Sequence, residues 1–173
     1  MPFAKYGTIV EEFLQNSYRI AVVTRDIPDP LTGDLDGREI HIDCAVTPEQ
    51  RLFLLAHLFG HTVQWNVAPE TFEIGRQLRP PVSPDLFPAI LAYEEEAANY
   101  GLAMLHEAGI LVIDEWFSAY SACDQAYLQH YYRTGERGEF RSFWPEKVLL
   151  IQPKIIPAFE PIRRSFRMDG IVI

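Results

Sequence analysis

The stretch Thr47-Pro48-Glu49-Gln50 constrains the fold more tightly than any other part of the chain, because it can only open a helix. The threonine oxygen can accept the backbone N–H three residues on, and Gln50 can return the bond. Proline suits the first helical turn, where its missing N–H costs nothing. The pattern predicts a helix from Pro48 to about Asn66. On it Leu54, Leu58, His61 and Trp65 share one stripe, with Leu55 and Phe59 beside it. The face that must go inward therefore carries His57 and His61 with it.

Histidines four residues apart on a helix project from one face about a turn apart, so both rings can reach a single metal ion. The same spacing also suits two core histidines satisfied by backbone carbonyls. A second helix, Pro88 to His106 and closed by Gly109, weighs on that choice. Its apolar face centres on Ile90, Ala97, Gly101, Met104 and Leu105, and at 100° per residue Glu94 lies within about 30° of that centre. Glu95 falls on the margin, and Glu96 points well away, as an ordinary solvated side chain would. An inward carboxylate costs several kcal/mol unless it is paired or metal-bound. Ala97, Ala98 and Gly101 beside it leave room for another backbone or a cation. His57, His61 and Glu94 together make the His₂Glu set of zinc sites, with a fourth position open to water.

Elsewhere the periodicity predicts a helix over 4–16, a buried strand over 18–24 and a strand over 38–43. A solvent-exposed connection is expected over 26–37, where Pro, Gly and Asp crowd together. Residues 67–88 hold five of the thirteen prolines and are expected to be irregular. A third helix runs from Asp114 to about Arg133. From Pro145 onward the chain is too interrupted for a helix and too apolar for water, so it should lie extended and docked. The sum is an α+β fold. At 173 residues one core suffices, so residues 1–173 are expected to form a single domain.

The stretch REIHIDCAVTPEQRLFLLAHLFGH resembles the strand, capped helix and HExGH motif of the ImmA/IrrE-type zinc metallopeptidases. EEEAANYGLAML resembles their second motif. The match covers about 38–106, with the helix and tail of 114–173 beyond it. The resemblance implies a zincin-like fold, a small β-sheet packed on an active-site helix and a second ligand-bearing helix. It also implies zinc on His57, His61 and Glu94, with Gly60 matching the glycine between the histidines. Two positions depart from the family. Leu58 stands where these peptidases carry the glutamate that takes the proton from zinc-bound water, and loss of a general base costs about 10²- to 10⁴-fold. Ala98 stands where an Asn or Asp supports a ligand histidine. Glu95, the one substitute base on the second helix, lies about 100° round from the position it would need to fill.

Fifteen Lys and Arg against twenty-four Asp and Glu give a net charge of −9, which disfavours nucleic acid and anionic membranes as partners. Arg163, Arg164 and Arg167 are the one small basic cluster, expected to be a solubilising surface. The absence of a long apolar run and of an N-terminal signal pattern makes the cytoplasm the default location. Cys44 and Cys123 are expected to be reduced and buried, Cys44 also being a conceivable fourth ligand. His41 and Asp43 share a strand face and could reach the site. His106 and His130 sit at helix ends. Tyr120, Tyr127, Tyr131 and Tyr132 are expected to pack against the apolar tail.

Three functions remain open on these residues. One is a zincin-fold metal protein with weak or no peptidase activity that acts by binding a polypeptide partner in the old substrate cleft. A second is an active zinc peptidase in which Glu95, or a residue of 67–88, serves as base. The third is a metal-free regulatory or structural domain.

Overall fold

The computed structural model describes residues 1–78 and 80–164 and the backbone of 171–172. Helix α1 (Phe3–Phe13) widens into a π-type turn, Leu14–Tyr18, which ends with Arg19 at φ 56°. Three strands follow: β1 (Ala21–Arg25), β2 (Leu31–Leu35) and β3 (Glu39–Asp43). The short β4 (Ile171–Val172) completes a sheet of order β1-β3-β2-β4. β3 runs parallel to β1 and antiparallel to β2, and β4 is antiparallel to β2. With α2 (Pro48–Val67), α3 (Pro69–Arg76), α4 (Phe87–Glu107) and α5 (Asp114–Thr134), the architecture is α+β, a small mixed sheet with five α-helices among the described residues. No helix among them is long and apolar enough to cross a membrane.

The predicted capping box is present: Gln50 N–H donates to Thr47 Oγ1 at 3.2 Å, and Thr47 N–H donates to Gln50 Oε1 at 2.9 Å. Helices α4 and α5 also fall where periodicity places them, with Gly109 (φ 79°) and Gly135 (φ 72°) turning the chain at their ends.

Three expectations fail for physical reasons. The stretch 26–37 is not a solvated connection, because it contains β2, with Gly33, Asp34 and Leu35 buried. Gly33 serves a close approach: a Cβ there would lie 3.0 Å from Leu58 Cδ1 and 3.3 Å from Leu54 Cδ2. The prolines of 67–88 do not prevent α3, because Pro69 occupies its first turn, where no donor is lost. Residues 18–20 likewise stand outside β1, since the π-type turn carries the chain through Tyr18.

Helices α2 and α4 cross antiparallel at backbone contact. A Cβ on Gly60 would lie 2.0 Å from the Ala97 carbonyl oxygen, and one on Gly101 would lie 2.6 Å from that of Ala56. Two glycines, one from each helix, thus set the spacing of the elements that carry the histidines and the glutamate.

The segment after α5 packs in two parts. Phe140 and Trp144 meet Tyr120, and Phe140 and Phe143 meet Tyr127, so these two tyrosines are covered by this aromatic turn. Beyond it, residues 145–164 run without helix or strand and are tied to the helices by hydrogen bonds, while Leu149, Leu150, Ile155 and Ile162 stay exposed, which the apolar character of the segment did not predict. Ile151 N–H donates to Ser118 Oγ (3.0 Å), Lys154 N–H to the Asn99 carbonyl (3.2 Å), and Ile162 N–H to Asn66 Oδ1 (2.9 Å). This strap therefore crosses α5, α4 and α2 in turn.

Candidate metal centre

The crossing of α2 and α4 brings together the three predicted ligands. His57 Nε2 lies 3.0 Å from His61 Nε2, and each lies 3.2 Å from Glu94 Oε2. All three residues are buried, at 2%, 3% and 4% exposure. A tetrahedral zinc ion with bonds of about 2.05 Å separates its donors by about 3.3 Å. The donor triangle is therefore within a few tenths of an ångström of the size such an ion requires.

The three groups also act on one another electrostatically. Burial alone would raise Glu94, but His61 and His57 outweigh it and hold its carboxyl at about 2. Burial, and after it the charge of His61, push His57 below its ordinary range, against the pull of Glu94. The three groups are thus tightly coupled, and it is as carboxylate and neutral imidazole that such groups bind a divalent cation. The buried His57–His61–Glu94 group could hold a metal ion, and its residues fit one.

The supporting shell differs from what the sequence suggested. Where Ala98 leaves no hydrogen-bonding partner, Gln64 provides one from α2 itself: its Oε1 lies 2.9 Å from His61 Nδ1. Its Nε2 donates to the Tyr93 carbonyl at 3.0 Å and to Glu96 Oε2 at 2.8 Å. Glu96 in turn pairs with Lys154 of the strap. Glu96 is therefore not an ordinary solvated side chain, because the strap and Gln64 meet it from two sides. Aromatic rings hold the imidazoles: Tyr93 stacks on His61 at 4.2 Å, and Phe53 stacks on His57 at 5.3 Å. The Tyr93 hydroxyl accepts from Trp65 Nε1 at 2.8 Å. Gln64 stands three residues after His61 on the same face, a spacing from which its role could have been read. The rings of Phe53 and Tyr93 carry no such signal, because core packing alone would place them inside.

The other predicted candidates lie elsewhere. Leu58, at the base position, is 0% exposed and faces β2 at Gly33. Glu95 is exposed, outside the buried set. His41 and Asp43 do share a strand face, but it is the face opposite Ile40 and Ile42, which are buried in the core with α2. His41 Nδ1 instead lies 3.7 Å from Asp34, and Asp43 accepts the Ile27 and Ala45 N–H groups at 2.7 Å each. Cys44 is exposed, contrary to expectation, and groups with Asp26 and Asp43 and not with the histidines. Cys123 is buried as a free thiol, pushed up to about 12 by burial.

Arg163 pairs with Asp36 and Glu39, and Arg164 donates to the Trp65 carbonyl, so these two are engaged by the fold. Arg167 lies outside the described residues. His106 bonds Asp114 at 2.8 Å, and His130 lies against Phe143.

Comparison with known proteins finds no matching family model, no matching curated protein and no matching solved structure.

Proposed function

We propose that this chain is a zinc-binding protein of zincin-like build, related in design to the ImmA/IrrE metallopeptidases but with little or no peptidase activity, and that it acts by binding a polypeptide. The observation that carries the reading is the pairing of a metal-sized His57–His61–Glu94 triangle with a fully buried leucine at the base position. Zinc bound there would supply positive charge to a carboxylate that burial otherwise penalises, and would tie α2 to α4. The residues around it hold geometry and move no proton. Gln64 orients His61, Tyr93 and Phe53 fix the rings, and Leu58 packs against the sheet.

Support for a polypeptide partner comes from the surface. Leu111, Val112 and Leu150 are exposed, and Asp114, Glu115 and Glu146 line the same hollow. Such a rimmed patch suits apolar side chains of a polypeptide.

The deciding experiment is metal analysis of protein purified without a histidine tag, followed by incubation with an unfolded protein substrate with and without chelator. The expected result is about one zinc per chain and no chelator-sensitive cleavage. Chelator-sensitive cleavage would promote an active peptidase. Absence of metal, even after incubation with zinc, would promote a metal-free domain.

A further inference from the structure

Asp124 of α5 is a buried acid with no structural explanation of its own. It is 1% exposed, and both carboxyl oxygens are buried without a hydrogen-bond partner among the described residues. A carboxyl in that position costs several kcal/mol unless something engages it.

Its place in the fold points to what that is. Helices α4 and α5 are antiparallel: a Cβ on Gly101 would lie 3.2 Å from Phe117, and at the other end Arg133 stacks over Phe87 at 4.8 Å. Asp124 is seven residues beyond Phe117, and Glu94 is seven before Gly101. At 1.5 Å per residue the two carboxyl-bearing positions are therefore level with each other. The face is settled by Tyr120, one turn earlier on α5. It stacks on Phe53 at 4.2 Å, and Phe53 stacks on His57. One turn later, Tyr127 and Leu128 pack in one cluster with Ile90 of α4. Asp124 thus stands between the aromatic column that ends at His57 and the Ile90 cluster, on the α5 face turned toward the ligand set. Burial, and after it the charge of Glu94, hold its carboxyl well above the ordinary range, which places the two acids in one electrostatic interior.

His57, His61 and Glu94 supply three donors and leave a divalent ion one open side and one uncompensated positive charge. The oxygens of Asp124 stand outside the 4.8 Å cluster of those donors, so Asp124 is not one of the direct donors. We propose that Asp124 is the fourth protein group of this metal centre, accepting a hydrogen bond from a water that fills the side of the ion the other three residues leave open. It is a positioning residue and acts through that water. With an ion bound, Asp124 would give up its proton to solvent and its carboxylate would balance the remaining charge. The inference rests on the metal-binding reading above.

The test uses the full chain, purified without a tag, with zinc and cobalt(II) as the probes. Zinc affinity is measured by competition with a chromophoric chelator, and coordination geometry by the visible absorption of the cobalt-loaded protein. Asp124→Asn and Asp124→Ala are each expected to weaken zinc binding about 10- to 100-fold, the usual effect of losing an outer partner. Each should also alter the cobalt spectrum, while the metal-free variants unfold at the same or higher denaturant concentration than the parent. A merely structural acid would instead lower the metal-free stability and leave the cobalt spectrum alone. Parent-like affinity and spectrum in a folded Asp124→Asn protein would overturn the assignment and leave the three-ligand site standing. A parent protein that takes up neither ion would overturn both. Asp124→Ala, which places no polar group in the pocket, keeps the test decisive if Asp124→Asn fails to fold.

Discussion

Gly60 and Ala97 touch backbone to backbone, since a Cβ on Gly60 would sit 2.0 Å from the Ala97 carbonyl oxygen. No rotamer change can relieve a contact made by main-chain atoms. Gly60→Ala is therefore expected to force α2 and α4 apart, costing at least about 3 kcal/mol and widening the donor triangle at once. Urea unfolding and zinc titration of the same variant check both effects. A folded Gly60→Ala protein with parental zinc affinity would show that the helices have another way to meet.

Removal of single side chains around the ligands should give a graded series. His61→Ala is expected to abolish zinc binding, as is Glu94→Ala. Gln64→Ala should weaken it about 10- to 100-fold by releasing His61 Nδ1. Glu96→Ala, one bond further out, should cost only a few-fold. Competition titration reads all four, and equal loss from Glu94→Ala and Glu96→Ala would contradict the observed geometry.

Leu58 packs on Gly33 of β2, so restoring a glutamate there is not a neutral change. Leu58→Glu is expected to destabilise the fold by several kcal/mol through a buried unpaired charge. Leu58→Ala should cost about 2–5 kcal/mol through the cavity it leaves. Neither variant, alone or with Ala98→Asn, should gain chelator-sensitive proteolysis, because the ligand set is covered. Protease assays on the folded fraction check this, and a gain of cleavage would mean that the site opens to substrate.

Asp34 predicts a slope of stability with pH. Burial raises its carboxyl to about 6, against the Leu35 N–H, His41 and Arg25, which lower it. Between about 4 and about 6 the folded chain then binds more protons than the unfolded one, so this contribution to stability falls as pH rises and is flat above. Asp34→Asn should remove that slope and stabilise the protein at pH 7 on the order of 2 kcal/mol. Denaturant midpoints at pH 4.0, 5.5 and 7.0 for both proteins test the sign.

The helices that carry the ligands could be read from sequence because their signals are local. Thr47 and Gln50 cap α2, and Gly109 ends α4, whose apolar stripe turns Glu94 inward. What escaped depends on partners distant in the chain. Gly33 and Asp34 carry the composition of a turn, and only the approach of Leu58 and the pairing with His41 make them a strand. Pro69 signals a break unless its position in a helix is known. The wheel placed Glu96 correctly off the apolar face of α4. It could not show that Lys154, 58 residues later, would lie across it.

That last contact has a thermodynamic consequence. Lys154, Glu96, Gln64 and His61 form one connected line from the strap to the candidate ligand. If zinc holds His61 and thereby steadies Gln64 and Glu96, it also holds the strap, and by reciprocity a docked strap tightens zinc by the same factor. Anything that peels residues 145–164 from α4 would then be felt as a loss of metal affinity, and metal loss would show as earlier amide exchange in the strap than in α2.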